Sequence, residues 1–397
     1  MINVHALAAS LIRFARRRTV LVVSAAAALA TMALVPPDGA YLGYFDLKTL
    51  SCLFGILAVV GALRGIGVFE HAARVAVARF ATCRSAVVAL VGATLVLSMF
   101  ATNDMALIMM LPLSAATLLR AGWERALPFA FIMQNLAANL GGMILPFGNP
   151  QNLYLYERFA IPLGDFLAVM AVPFAASVLL ITACCMLFVK PVPPRSPAQG
   201  AARPEPADAP RVDDRRRPRA LAYLALLALV IASVFRLVPY PAALAVVVAA
   251  LVVLDRRALR DVDWGLLLTF ACFFVFAGNM ARIPAAEGLL SGLMDRSALL
   301  VSVGASQIIS NVPAAVLLSH FADGYQALLV GVNIGGAGTL VASLASLITF
   351  SHYRTVRAAF PRRPELARQT ARGFLAKFTA YNAAFLAALL LVCWPLA

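Results

Sequence analysis

Residues 139–152 read Asn-Leu-Gly-Gly-Met-Ile-Leu-Pro-Phe-Gly-Asn-Pro-Gln-Asn and lie inside a long apolar segment. Pro146 and Pro150 each remove a backbone donor, and Gly148 frees the backbone between them, so the stretch predicts an interrupted helix. The carbonyls and amides exposed by the interruption need polar partners, and in the bilayer interior a bound ion or substrate is the natural one. The interruption therefore supplies these candidate binding residues: Asn139, Gly148, Asn149, Gln151 and Asn152.

A second stretch of this kind lies in the other half of the chain. Residues 331–343 read Gly-Val-Asn-Ile-Gly-Gly-Ala-Gly-Thr-Leu-Val-Ala-Ser. The glycines favour a second break, although small residues could also serve close helix packing alone. Two matched stretches in equivalent places favour the binding interpretation. The second break adds the candidates Asn333, Gly335, Gly336, Gly338, Thr339 and Ser343.

The composition places the chain in a membrane. Apolar residues make up 62% of 397 positions and charged residues 13%, an apolar excess that a single water-soluble core cannot bury. The net charge of +15 raises nucleic acid as an alternative partner. However, the basic clusters fall between apolar segments, as in cytoplasmic loops, and no nucleic-acid motif is present. The predicted partner is the lipid bilayer, and nucleic-acid binding is excluded.

The apolar segments predict an all-α polytopic membrane protein with about nine transmembrane helices. Two other apolar stretches, 85–119 and 297–322, carry a polar knot in the middle and predict re-entrant helical hairpins, because their arms are short for a core about 30 Å thick. The predicted spans are 19–35, 49–63, 127–158 (a broken helix), 165–189, 220–236, 240–254, 264–281, 325–350 (a broken helix) and 373–396.

The two hairpin tips carry polar residues that are rare inside membranes. The first tip holds Thr102, Asn103 and Asp104, and the second holds Ser310 and Asn311. Of 18 acidic residues, Asp104 is the one deep inside an apolar stretch, with no lysine or arginine at comparable depth. A carboxylate there is costly, so we expect it to bind a coupling cation or carry a proton. The alternative is a structural carboxylate satisfied by its Asn and Thr neighbours.

The order span, hairpin, broken helix and final span occurs twice, which predicts an inverted-topology repeat with the site near the bilayer midplane. The predicted divisions are 1–40 (N-terminal basic segment and first span, expected to be retained), 41–189 (first repeat), 190–219 (Pro/Arg-rich linker) and 220–397 (second repeat). The N-terminus and linker are predicted to be cytoplasmic. Of 33 basic residues, this topology leaves outside only Lys48, Arg158, Arg236, Arg282 and Arg296.

Other titratable groups offer no second chemistry. We interpret His5, His71, His320 and His352 as structural or solvated, with His71 and His352 in basic loops. The six cysteines lack metal-ligand spacing, so no metal site is expected. No phosphate loop, zinc-protease helix or serine-hydrolase elbow is present, so the chain is not predicted to be an enzyme. No cofactor is expected beyond a coupling Na⁺ or H⁺.

Four stretches together resemble the ion transporter superfamily: residues 102–106, 139–152, 306–314 and 331–343. That grouping holds citrate-transporter-like permeases, divalent-anion/sodium symporters, arsenite pumps and one class of sodium/proton antiporters. The resemblance implies two opposed hairpins, a frequent homodimer and an elevator-like motion. It places the family's tip motifs on residues 102–104 and 310–312 and its broken-helix motifs on 148–152 and 335–339.

The tips depart from the symporters, which carry Ser-Asn-Thr at both places. Here they read Thr-Asn-Asp and Ser-Asn-Val, which disfavours dicarboxylate transport and leans toward the arsenite-pump or cation/proton branches. The sequence predicts a secondary active transporter of the bacterial inner membrane, first a proton- or sodium-coupled anion permease. A sodium/proton-type antiporter and an arsenite efflux permease remain alternatives. A passive channel is disfavoured because the polar groups cluster at one depth.

Overall fold

The computed structural model describes residues 18–69, 81–194, 216–361 and 363–396, and these ranges contain helices and no β-strand. The first-half helices are α1 Thr19–Leu34, α2 Leu47–Gly65, α3 Cys83–Phe100, α4 Asn103–Arg120, α5 Leu127–Gly141, α6 Pro150–Arg158 and α7 Leu163–Phe188. The second-half helices are α8 Arg216–Val234, α9 Tyr240–Leu254, α10 Arg256–Arg260, α11 Trp264–Met280, α12 Pro284–Ile309, α13 Asn311–Leu318, α14 Gln326–Ile334, α15 Leu344–Ala359, α16 Pro364–Ala367 and α17 Ala371–Cys393.

Length and composition qualify six of the described helical stretches as membrane spans. They are Leu47–Gly65, Cys83–Phe100, Glu124–Ile144, Leu163–Phe188, Arg256–Met280 and Ala371–Cys393. Three shorter apolar helices accompany them: Thr19–Leu34, Pro218–Val234 and Tyr240–Leu254. The prediction of an all-helical polytopic membrane protein is confirmed, whereas the number of nine spans stays a prediction.

Local capping fixes where several helices begin. The Asp46 carboxylate accepts a hydrogen bond from the Thr49 backbone N–H at 2.9 Å, directly before α2. Thr82 and Ser85 form a reciprocal capping box at the start of α3. Such side-chain oxygens satisfy backbone donors that the first helical turn leaves unpaired. Short polar residues therefore mark the ends of helices whose interiors are apolar.

The two predicted hairpins are built differently. In the first, α3 and α4 have 18 residues each, contact each other and are joined by Ala101 and Thr102. In the second, α12 kinks at Ser297, where φ is −168° and ψ is 93°, and the returning helix α13 has only eight residues. The segment after the kink coincides with the predicted start of the hairpin at 297, although α12 itself begins at Pro284.

Each hairpin contacts the broken helices of both halves. The α3–α4 hairpin packs on α5, and α4 also contacts α15. The α12–α13 hairpin packs on α14, and α13 also contacts α6. The chain between α5 and α6 and the chain between α14 and α15 therefore lie beside both hairpin tips. The opposed orientation of the two halves across the bilayer stays a prediction.

Two features of the second half differ from the sequence interpretation. Helix α8 begins at Arg216, inside the predicted linker, while residues 195–215 lie outside the described part of the chain. Helix α15 continues to Ala359, so the placement of His352 in a loop was wrong. Tyr353 and Val356 are buried on the helix, and this apolar spacing carries the helix through a stretch that its basic residues made resemble a loop.

Candidate functional site

The first hairpin tip and both helix breaks meet in one buried polar cluster. Asn103 at the start of α4 donates from Nδ2 to Oδ1 of Asn139 at 3.0 Å. The Ser343 hydroxyl, at the end of the second break, donates to the same oxygen at 2.7 Å. All three side chains are buried. The cluster joins α4, α5 and the start of α15, which belong to both halves of the sequence.

The second hairpin tip is attached next to the first. The Asn311 backbone N–H donates to the Ala342 carbonyl at 3.0 Å, and the Ser310 hydroxyl donates to that carbonyl at 3.2 Å. Ala342 directly precedes Ser343, so adjacent residues of the second break hold the two tips. Asn311 also lies against Gly336, where a Cβ would stand 3.0 Å from its Nδ2 atom. The two tips therefore share one place in the molecule.

A second set of hydrogen bonds ties the two breaks together. Asn333 of α14 donates from Nδ2 to Oδ1 of Asn152 at 2.6 Å, and its own Oδ1 accepts from Gln151 Nε2 at 3.4 Å. Asn152 in turn donates to the Met143 carbonyl at 3.1 Å, near the free end of α5. These contacts satisfy carbonyls that the interruption leaves without helical partners. They also join the broken helices of the two halves.

The first break requires glycine at one position. A Cβ on Gly148 would lie 2.2 Å from the Gly142 carbonyl oxygen, so any larger residue would force the backbone apart. This close approach folds the chain back so that Asn149 Nδ2 lies 3.5 Å from the Asn139 carbonyl. Asn149 precedes α6 without capping it through its side chain, which leaves that amide inside the site.

Four buried polar atoms of the site have no hydrogen-bond partner in the described part of the chain. They are Asp104 Oδ1, Asn139 Nδ2, Asn149 Oδ1 and Gln151 Oε1. An unpaired buried polar atom costs about 1–3 kcal/mol, so native proteins retain few without a reason. The four atoms are one donor and three oxygen acceptors, which fits a small polar ligand or an ion better than a structural network.

Asp104 is the acidic residue of the site. It lies in the first turn of α4, where its backbone N–H donates to Asn103 Oδ1 at 3.0 Å. No salt bridge within the described ranges involves Asp104. The α4 N-terminus favours a negative charge there, since helix dipoles are positive at that end. Among the described residues no group of three His, Cys, Asp or Glu could hold a metal ion, so a bound cation would need amide, hydroxyl and carbonyl oxygens beside Asp104.

Part of the second break lies apart from this cluster. Thr339 is exposed, and both its backbone N–H and its hydroxyl bond to Gln307, at 2.9 and 3.0 Å. Gly338 has φ +156°, and a Cβ there would collide with the Gln307 side chain. The Gln307 amide also donates to the Gly335 carbonyl at 2.7 Å. Gln307 thus organises the break, and its place in the 306–314 motif was the only sequence signal for it.

Thr102 is buried but makes no side-chain cap at the start of α4.

A further polar cluster was missed from sequence. Asn135, one turn before Asn139 on α5, lies 3.5 Å from both Ser346 Oγ and Asn382 Oδ1 through its Nδ2 atom. Thr349 donates to its Oδ1 at 3.3 Å. These four side chains are buried and connect α5, α15 and α17. Each is an isolated polar residue in an apolar helix, a pattern that does not indicate a partner without the fold.

Comparison with known proteins identifies related transporters. A family model described as citrate transporter matches residues 7–349. The inner membrane protein YbiR of Escherichia coli is 32% identical over 310 residues, which cover 76% of this chain and 79% of YbiR. The uncharacterized transporter MJ0456 of Methanocaldococcus jannaschii is 29% identical over 310 residues, 77% of this chain and 80% of that protein. The silicon efflux transporter LSI3 of Oryza sativa is 31% identical over 135 residues, 34% of this chain and 27% of LSI3.

Proposed function

The chain belongs to the citrate transporter family of membrane proteins, and from that premise we propose a proton- or sodium-coupled anion permease. The observation that carries the proposal is the attachment of both hairpin tips to the adjacent residues Ala342 and Ser343, beside an unpaired carboxylate. Helix ends, amides and hydroxyls converge there with polar atoms left over. A site of this kind favours a small ion that both halves of the protein contact.

Anion binding is supported by the direction of the helices at the site. Helices α4, α6, α13 and α15 all begin there, at Asn103, Pro150, Asn311 and Leu344. Helix N-termini carry partial positive charge and unpaired backbone N–H groups, which together favour anions. The Asn139 Nδ2 atom adds a side-chain donor without a partner. These groups would hold an anion without a lysine or arginine in the site.

Asp104 supplies the coupling in this proposal. An ionised carboxylate repels an anion in the same pocket, and the repulsion is strong in a low-dielectric interior. Protonation of Asp104, or a sodium ion beside it, removes that repulsion. Binding of the anion and binding of the proton or cation therefore favour each other, and by linkage each raises the affinity for the other. Reciprocal coupling of this kind is what ion-driven symport requires.

A second candidate function is cation/proton antiport, favoured by the same carboxylate. Asp104 Oδ1 has no partner, and a cation and a proton could compete for it. Arsenite efflux is the other alternative, and the similarity of 135 residues to a protein named as a silicon efflux transporter is in keeping with it. Neither cation/proton antiport nor arsenite efflux requires a positively charged path to the site.

Purified protein in liposomes that contain a pH dye tests these proposals. Sodium, lithium, potassium, arsenite, citrate, succinate, sulfate and phosphate are added in turn. Proton movement on adding an anion, absent when Asp104 is changed to Asn, is the expected result. Asp165→Asn is the matched control, because Asp165 is an exposed carboxylate at the start of α7.

Three other outcomes decide against the anion permease. Proton efflux on adding a monovalent cation, lost in Asp104→Asn, establishes the antiporter and retires the anion proposal. Uptake that continues after the ion gradient has collapsed identifies a channel. A response to arsenite alone assigns the efflux branch of the superfamily.

A further inference from the structure

A cavity lies next to the candidate site. Its volume is about 660 Å³, and residues of α1, α4, α11 and α15 line it. The lining residues of α4 begin at Leu107, three positions after Asp104, and those of α15 begin at Leu344, next to Ser343. Residues three or four apart on a helix share a face, so the deep end of the cavity lies beside the site.

A groove continues the cavity along α15. The groove has a volume of about 710 Å³ and is lined by Ser351, Arg354, Thr355, Arg357, Ala358, Pro361 and Ala367. Ser351 and Thr355 also line the cavity, so the two spaces adjoin. The groove along the last two turns of α15 therefore forms the mouth of a space whose inner lining residues adjoin the site. We call these two adjoining spaces the α15 vestibule.

The charge of the α15 vestibule is positive. Arg354 and Arg357 line the groove, and no acidic residue of the described ranges does. Neither arginine forms a salt bridge within the described ranges. The cavity contributes Arg18 and Asp263, but these two neutralise each other through a contact of 2.6 Å.

Other arginines at this end of the fold are engaged by carboxylates. Arg125 bonds to Glu365 at 2.7 Å in a two-pronged contact, and Arg363 bonds to Glu124. Arg354 instead lies over the Phe350 ring, with its guanidinium carbon 5.9 Å from the centroid. Arg354 lines the groove without a carboxylate partner among the described residues. The two groove arginines thus differ in kind from their paired neighbours.

We propose that Arg354 and Arg357 are an anion-collecting site at the mouth of the α15 vestibule. They draw a small carboxylate or oxyanion from solution and raise its concentration before it moves along α15 to the tips. Clefts lined by one sign of charge concentrate the opposite ion, and guanidinium groups bind carboxylates and oxyanions through paired N–H donors. The inference rests on the proposed function, since it fixes the charge of the transported ion at this side.

The alternative is that both arginines serve only membrane topology, as basic residues in cytoplasmic segments do. The two explanations differ in how they respond to salt and to substrate concentration. A collecting site acts on the apparent affinity, and salt screens it over a Debye length of about 10 Å at 0.1 M. A topological role leaves the kinetics of correctly inserted protein unchanged.

The test uses the full-length protein in liposomes. Citrate, succinate, sulfate and phosphate are compared first, and the anion that gives the largest proton movement with the wild-type protein is used as the probe. The double variant Arg354→Gln/Arg357→Gln is expected to raise KM about tenfold at low ionic strength with an unchanged maximal rate. At high salt the difference from wild type should shrink. Arg354→Lys/Arg357→Lys keeps the charge and should recover most of the affinity.

The matched control is Arg257→Gln/Arg260→Gln. These arginines are exposed on α10 and line neither the cavity nor the groove, but removing them changes the net charge equally. An unchanged KM in the vestibule variant, with anion-driven proton movement intact, overturns the inference and leaves the proposed function standing. Equal KM shifts in both pairs also overturn it. Wild-type protein that moves no anion overturns the proposed function, and the inference with it.

Discussion

The two hairpin tips are equivalent in sequence order but differ in how they are held. The first tip is joined to the breaks through side chains, by Asn103 with Asn139 and Ser343. The second tip is joined through its backbone, by the Asn311 N–H and the Ala342 carbonyl, and the Ser310 hydroxyl adds one side-chain bond to the same carbonyl. Side-chain contacts can exchange partners by rotation, whereas a backbone contact moves only with the chain. We therefore expect the first tip to respond to a ligand and the second to hold its position.

The two tips also differ in backbone strain and in charge. Ser310 has φ +76°, a left-handed conformation that non-glycine residues adopt at a cost of about 1–3 kcal/mol where the surroundings fix it. The first tip has no such residue, but it carries Asp104 with an unpaired carboxylate oxygen. The energetic cost of the second tip is therefore backbone strain, and that of the first tip is an unpaired buried polar atom.

Removing the charge from the first tip is expected to have the largest effect. Asp104→Asn should abolish substrate-driven proton movement, because an amide neither loads nor releases a proton. The measurement is dye-reported proton flux in liposomes, with the exposed Asp165→Asn as control. Full coupled transport in Asp104→Asn would mean that the two tips do not differ in function.

Loss of the hydrogen bonds that tie the two helix breaks together is expected to have the second-largest effect. Asn333→Ala removes the donor to Asn152 and the acceptor for Gln151, and should lower the free energy of unfolding by about 2 kcal/mol because buried polar groups lose partners. Thermal unfolding in detergent measures this change. Gln326→Ala, at an exposed position of the same helix, should leave the melting temperature unchanged. Equal melting temperatures of the two variants would show that these hydrogen bonds do not hold the two breaks together.

Substitutions at the second tip should change the stability of the protein and leave proton coupling intact. Ser310→Ala loses the hydrogen bond to the Ala342 carbonyl, about 1 kcal/mol, and keeps the positive φ. Ser310→Gly loses the same bond but relieves the backbone, so it should unfold nearer to wild type. Both variants should retain proton movement when flux is compared at equal protein. Loss of coupling in Ser310→Ala would contradict the division between the tips.

The smallest effect is expected from a carboxylate outside the membrane-spanning helices that, unlike Asp104, is paired with an arginine. The hydrogen bonds from the Arg282 guanidinium hold the pKa of Asp38 below its ordinary value of 3.8. A lowered folded-state pKa contributes stability above about pH 4, and that stability is lost as the pH falls through the folded-state value. Arg282→Gln should remove this acid-dependent component, measured as melting temperature against pH. An unaltered pH profile in Arg282→Gln would show that the pair carries no linkage.

Much of the fold followed from local sequence features. Pro146, Pro150 and Gly148 predict an interruption, and the structure ends α5 at Gly141 and begins α6 at Pro150. Such residues act on their own backbone, so their effect does not depend on distant contacts. Helix α15 was misjudged at its far end, because a basic stretch resembles a loop unless its buried face is known.

The candidate site was less accessible from sequence. Asn103, Asn139 and Ser343 were chosen as members of motifs, but their mutual contacts join residues 36 and 204 positions apart. Gln307 and Asn135 were not chosen, since a single amide in an apolar helix gives no sign of its partner. Thr339 was chosen and is exposed, because a motif does not reveal which face of the chain is turned inward.

The sequence by itself determined that this chain enters a membrane as helices, where two of those helices break, and that Asp104 lies in apolar surroundings. These properties depend on hydrophobicity and on backbone chemistry, which are local. Only the packed structure shows that both tips meet at Ala342 and Ser343, which polar atoms of the described residues stay unpaired, and that Arg354 and Arg357 line the groove beside the cavity. Those properties depend on packing between distant segments, and no local pattern of residues encodes which side chains will meet.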